Sequence, residues 1–421
     1  MKVSVSKSVI RGRAPAPPSK SYTIRGLMCA ALAEGGSAII NPLYSDDTEA
    51  AMNVLRKIGV GISEENGLWQ VTGGNFREPG SDLFCGDSAA TLRFMTAICS
   101  LVSGKCKLTA GQSLAKRPIK PLVLALKQLG VKVDCEGDLP PVTVEGGVLR
   151  GRVVEFPGNV SSQFVSALLL VSPLSQYGVT INLTTPLESK PYVLMTLECL
   201  GRFGIDIGYS TDLCEFAIRR QDYIPTVYRV EGDWSSASYL LALGALSGEV
   251  TVDNLNTASL QGDRVILDFL RRMGAEVDIK SGCIIVKQRE LQAIKADLTD
   301  CIDLLPTMAV LAAVAEGTSE FTGIQRARLK ESDRVAAVRE GLDRAGVKVV
   351  AEQNRLIISG SRLRKAVIDS KGDHRIAMAF SLLGVAAGGI AIDGAECVSK
   401  TYPEFWQVLK NMGGEVKTDG E

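Results

Sequence analysis

One phrase recurs six times along this chain of 421 residues: VLRKIGVGI, ALKQLGVKV, CLGRFGIDI, FLRRMGAEV, GLDRAGVKV and VLKNMGGEV. The aligned glycines, Gly59, Gly130, Gly204, Gly274, Gly346 and Gly413, lie 71, 74, 70, 72 and 67 residues apart, so the unit of construction is about 70 residues. Each phrase reads as a helix end, a glycine suited to a left-handed C-cap, and an alternating strand. A second helix precedes each, as in SKSYTIRGLMCAALAEG, SSASYLLALGALSG and DHRIAMAFSLLGVAAGG. These helices open on a polar or capping residue and are apolar on nearly every side, which requires burial, whereas helices striped with Lys, Arg and Glu face solvent. Every repeat therefore carries one inner and one outer helix. Strands such as VTINLT, EVTVDNL and SEFTGI follow the inner helices, and the unit reads helix, strand, helix, strand, often closed by a hairpin.

That pattern predicts an α/β protein of six copies, three per domain, divided near residues 229–233. The N-terminal strand has no partner within repeat one. It is expected to pair with the last repeats, which makes a second crossing near residues 13–18 and gives domains 19–231 and 1–18 plus 232–421.

Lys plus Arg and Asp plus Glu both number 47, so no net positive charge is available to hold a nucleic acid or an anionic membrane. No apolar run is long enough to span a bilayer, and the N-terminus MKVSVSKSVIRGR alternates like a strand, which suggests a cytoplasmic protein. The ten cysteines contain no C-x-x-C pair and there is one histidine, His374, so no protein-ligated metal is expected.

Unusual polar residues gather where helices begin. On inner helices these are Lys20, Ser21 and Arg25; Asp87, Ser88 and Arg93; Ser161, Ser162 and Gln163; Asp303; and Asp373, His374 and Arg375. On outer helices they are Lys116 and Arg117, Ser189 and Tyr192, Lys330, Glu331 and Arg334, and Lys400. Serine and aspartate there are ordinary caps. Cations oppose the helix dipole, yet Lys20, Arg117, Lys330, Arg334, Arg375 and Lys400 are all read as lying in a first turn. Such a set, unmatched, calls for small polyanionic ligands, with arginine forks for carboxylate or phosphate and lysines as point charges. Asp303 and Glu331 break the pattern and are the candidates for proton transfer.

The stretches PPSKSYTIR, SSQF, KESDR, DHR and KTYP, in this order, make the chain resemble the 3-phosphoshikimate 1-carboxyvinyltransferase (EPSP synthase) family. The resemblance implies an inside-out α/β barrel of two domains with the active site in the cleft between them. It also implies transfer of the carboxyvinyl group of phosphoenolpyruvate to the 5-hydroxyl of shikimate 3-phosphate, with no cofactor or metal and a monomeric state. Carried over, Lys20, Ser21, Arg25, Ser161, Ser162, Gln163, Ser189, Tyr192, Asp303 and Lys330 would hold shikimate 3-phosphate, most of them in the first domain. Lys20, Ala89, Arg117, Gln163, Arg334, Arg375 and Lys400 would hold phosphoenolpyruvate. Asp303, Glu331 and Lys20 would be catalytic.

Where the family usually shows G-N-x-G-T this chain has GDSAAT, so Asp87 is expected beside an anion and the Ala89 methyl to crowd the phosphoenolpyruvate pocket, weakening inhibition by glyphosate. Arg326 replaces a family asparagine. The alternatives are a UDP-N-acetylglucosamine carboxyvinyltransferase-like enzyme, against which the loop TAGQSLAKRPIK has no cysteine, and an RNA 3'-phosphate cyclase-like repeat protein, against which the charge is balanced. His374 is read as a neighbour of the site rather than its base.

Overall fold

The computed structural model describes residues 1–419 and divides into two compact units, Met1–Pro17 with the chain from Gly232 onward, and Pro18–Glu231. Twelve α-helices lie among the described residues: α1 (Lys20–Leu32), α2 (Asp46–Lys57), α3 (Ala89–Ile98), α4 (Lys120–Gln128), α5 (Ser162–Val171), α6 (Lys190–Arg202), α7 (Trp234–Leu246), α8 (Ile266–Arg272), α9 (Leu305–Val314), α10 (Arg334–Arg344), α11 (His374–Ala387) and α12 (Phe405–Asn411). Odd-numbered helices are the inner ones. All of α7 is buried, as are all but one residue of α9 and all but two of α11, and these three pack on one another. In the other unit α3 packs against both α1 and α5. The six repeat glycines end the outer helices with φ between 80° and 103°, a left-handed conformation that only glycine adopts without strain.

Each inner helix goes with one four-stranded sheet. In the third, Val153–Phe156 runs parallel to Val179–Leu183 across α5, and the latter pairs antiparallel with Glu215–Ile218, which in turn pairs with Gly208–Tyr209. The leading parallel strand of repeats two, three, five and six comes from the tail of the repeat before. Repeats one and four begin a unit and must obtain theirs elsewhere. Val227–Arg229, from the far end of its unit, leads the first sheet beside Gly35–Ile40. Ile10–Pro15, from the N-terminus, leads the fourth beside Gly248–Asp253.

The N-terminus makes a second contribution. After α12 only Val416–Thr418 is a strand among the described residues, so repeat six lacks half of its hairpin. Lys2–Val5 fills that place, antiparallel to both Ile390–Asp393 and Val416–Thr418. The sequence suggested one pairing of the N-terminal strand with the last repeats; the segment makes two, with repeats four and six, because two sheets are short of a strand.

This connectivity predicts that residues 18–231 expressed alone give a native near-ultraviolet circular dichroism spectrum. Residues 232–421 alone should not, since two of their three sheets each lack a strand, and adding Met1–Pro17 as a peptide or fusion should restore packing. A native spectrum from 232–421 alone would refute this.

Candidate active site

In the unit containing the C-terminal repeats, the site is organised by one guanidinium. Arg334, the first residue of α10, is 1% exposed, and its donors reach three carboxylates. Nε donates to Asp373 at 2.8 Å, Nη1 to Asp303 at 2.6 Å and Nη2 to Glu331 at 2.6 Å. Burial alone would lower the pKa of Arg334, but Asp373, Glu331 and Asp303 together raise it. Asp303 also pairs with Lys330 at 3.2 Å and with Arg375 at 3.3 Å. Asp373 caps α11 through the Arg375 backbone N–H at 2.9 Å and accepts the Ser332 hydroxyl at 3.0 Å. Lys400 donates to the Gly372 carbonyl at 3.1 Å, beside the same helix start.

The expectation of unmatched cations is therefore corrected here: Lys330, Arg334 and Arg375 face Asp303, Glu331 and Asp373, charge for charge. Burial lowers the Lys330 ammonium to about 8, partly offset by Asp303 and reinforced by Arg334. A further carboxylate, Asp263, accepts a short hydrogen bond from the Ser235 hydroxyl. Burial and then the charge of Asp303 push it up to about 7.

The Pro18–Glu231 unit carries a second group. Lys20, at the start of α1, pairs with Asp47 at 2.8 Å. Arg25 is buried, which lowers its pKa, and lies beside the rings of Phe94 at 5.4 Å and Tyr192 at 5.9 Å. It donates to Thr196 Oγ1 at 2.9 Å and to the carbonyls of Ser21 at 3.0 Å and Tyr192 at 3.1 Å, joining α1 to α6. Ser189 caps α6 with φ 55°, and its carbonyl accepts the Tyr192 N–H at 3.1 Å. Ser161 caps α5, Ser162 is that helix's first residue, and Gln163 follows. Ala89 begins α3 and is 7% exposed.

The family model described as EPSP synthase (3-phosphoshikimate 1-carboxyvinyltransferase) matches residues 6–409. The chain belongs to this family. It is 48% identical to the 3-phosphoshikimate 1-carboxyvinyltransferase of Dehalococcoides mccartyi and 42% identical to that of Halobacterium salinarum, with all of this chain and of each relative covered. Among solved structures it resembles an EPSP synthase from Acinetobacter baumannii, with TM-score 0.83 and 26% identity over 99% of this chain and 100% of that one.

Against the EPSP synthase expectations, only Lys20, Arg334 and Arg375 lie in a helical first turn. Arg117 and Lys330 each follow a short 3-10 turn, Lys400 ends one, and Asp303 lies in the 3-10 turn Ile302–Leu304 before α9. Pro118 explains the first of these shifts, because the residue before a proline, here Arg117, is pushed out of helical geometry.

The Asp87 carboxylate accepts the backbone N–H groups of Ser113 at 3.1 Å and Leu114 at 3.0 Å, so it anchors the loop that leads to Arg117. Arg326 is buried and donates to the Thr299 carbonyl at 3.1 Å. His374, 1% exposed, is the first residue of α11. Sequence reasoning missed Asp47 and Asp263. Asp47 lies in the first turn of α2 and Asp263 in the 3-10 turn before α8, where a carboxylate reads as an ordinary helix-start residue.

Replacing Arg334 by methionine leaves Asp373, Glu331 and Asp303 without their common partner, and should cost about 3–5 kcal/mol of stability in urea unfolding at neutral pH. A deficit under about 1 kcal/mol at neutral pH would show the cluster to be loosely held.

Proposed function

We propose that this chain transfers the carboxyvinyl group of phosphoenolpyruvate to the 5-hydroxyl of shikimate 3-phosphate and releases phosphate, the activity that the names of its relatives state. The observation that carries the mechanism is the pair of carboxylates, Asp303 and Glu331, held by the same guanidinium of Arg334. Both are fixed in place, yet Asp303 and Glu331 keep side-chain exposures of 11% and 15%, so each is reachable by a ligand.

Asp303 takes the proton of the attacking hydroxyl. Glu331 protonates the methylene carbon of phosphoenolpyruvate, Lys20 being the further residue assigned to catalysis, and the adjacent carbon becomes cationic enough for the hydroxyl oxygen to bond to it. The product is a tetrahedral ketal phosphate. Loss of a proton from the new methyl group and departure of phosphate regenerate the vinyl double bond and complete the transfer. A buried, ion-paired frame suits this chemistry because its charges need no reorganisation as the cationic carbon forms.

Shikimate 3-phosphate is assigned Lys20, Ser21, Arg25, Ser161, Ser162, Gln163, Ser189, Tyr192, Asp303 and Lys330. Phosphoenolpyruvate is assigned Lys20, Ala89, Arg117, Gln163, Arg334, Arg375 and Lys400. The balanced charge favours small anions over a polymer, and no described helix is long and apolar enough to cross a membrane. A cytoplasmic monomer is the working state.

Mixing the protein with both substrates should release inorganic phosphate; no release, or release only with a UDP-sugar acceptor, would overturn the reading. Asp303→Asn should lower kcat by about 10² to 10⁴ while shikimate 3-phosphate still binds.

The lowered pKa of Lys330 adds a pH signature. As pH rises through about 8 the free enzyme loses this positive charge, so kcat/KM for shikimate 3-phosphate should fall on the alkaline side. Lys330→Arg keeps the charge and should move that limb upward. An unmoved limb would remove Lys330 from substrate binding.

A further inference from the structure

Arg93, in α3, is 4% exposed and has no place among the residues assigned above. Its Nη1 donates to Gln163 Oε1 at 2.7 Å and to Ser161 Oγ at 3.2 Å, and its guanidinium carbon stands 5.0 Å from the Phe164 ring centroid. Ser161 Oγ also accepts the backbone N–H of Gln163 at 3.3 Å.

A hydroxyl has two acceptor lone pairs and one O–H, and a primary amide has a carbonyl oxygen and two N–H donors. At Ser161 both lone pairs are taken, so the oxygen can only donate. At Gln163 the carbonyl end is held by a cation, which turns the amide N–H groups outward. Both residues are partly exposed at the start of α5, where the helix's own free N–H groups already favour negative charge. An amide free to rotate would have to be turned to its nitrogen end and ordered by the anion itself, at a cost to binding.

We propose that Arg93 is a positioning residue that fixes the hydrogen-bond polarity of the α5 start, so that Ser161 and Gln163 present only donors to an anionic oxygen of shikimate 3-phosphate. This rests on the assignment of Ser161 and Gln163 to that substrate. Arg93 itself need not touch the ligand, and its effect must pass through those two side chains.

The test is calorimetric binding of shikimate 3-phosphate to the full-length chain, compared across Arg93→Met, the pair Ser161→Ala with Gln163→Ala, and the triple variant, with steady-state kinetics alongside. Arg93→Met should weaken binding about 10- to 100-fold and raise KM more than it lowers kcat. In the double-alanine background the same change should cost less than about 3-fold, because its intermediaries are gone. An equal loss in both backgrounds would overturn the proposal. Should Arg93→Met not fold, Arg93→Lys, which keeps the charge but not the fork, supplies the same comparison. If the double-alanine variant binds as tightly as the natural protein, the substrate assignment fails instead, and with it the role of Arg93.

Discussion

A helix with no polar side exists only where something covers it all round. Every residue of α7 from Trp234 to Leu246 is buried, and α9 and α11 are nearly the same. Burying three such helices together requires the sheets to lie outside them, the reverse of the usual barrel with strands at its centre. It also decides where chemistry can be placed. Along its length an inner helix offers little but apolar surface, so polar function is displaced to its first residues, where free N–H groups need partners in any case. Lys20, Ser161, Asp303 and Arg375 all follow from that displacement.

What the helix starts then do is set by charge pairing within each unit. The cations are not held bare for a ligand. Lys20 has Asp47, and Arg334 has Asp303, Glu331 and Asp373. An isolated buried cation costs several kcal/mol, and a multiply paired one far less. Any anion drawn to Lys20 or Arg375 would compete with a protein carboxylate, and a carboxylate that gives up a cation becomes more basic.

The repeat, the inner and outer helices and the six glycine ends were legible in the sequence, because each depends on a local pattern that recurs in every copy. Partners supplied by tertiary packing were not. Asp47 reads as an ordinary acidic first turn, favourable to α2 on its own, and nothing local marks it as the partner of Lys20. The partners of Asp87 are hidden for the same reason, since only the fold brings the N–H groups of Ser113 and Leu114 to its carboxylate. The shift at Arg117 is different in kind, since Pro118 next to it in the sequence is what pushes it out of helical geometry.

The missing strands bear on how such a chain assembles. The first sheet draws its leading strand from Val227–Arg229, within the same contiguous segment, so residues 18–231 hold everything their three sheets need. The other unit is interrupted. Ile10–Pro15 waits for Gly248–Asp253, and Lys2–Val5 waits longer still, for Ile390–Asp393 and Val416–Thr418. Closing a long loop adds little to its equilibrium cost, because that entropy grows only with the logarithm of length, but contacts so distant in sequence form slowly. The continuous unit can complete itself during synthesis, and while it does the first residues of the chain must stay unpaired. Their composition suits that wait. MKVSVSKSVIRGR spaces its valines with lysine, serine and arginine, which limits the sticking of an exposed edge until the sixth repeat arrives to cover it.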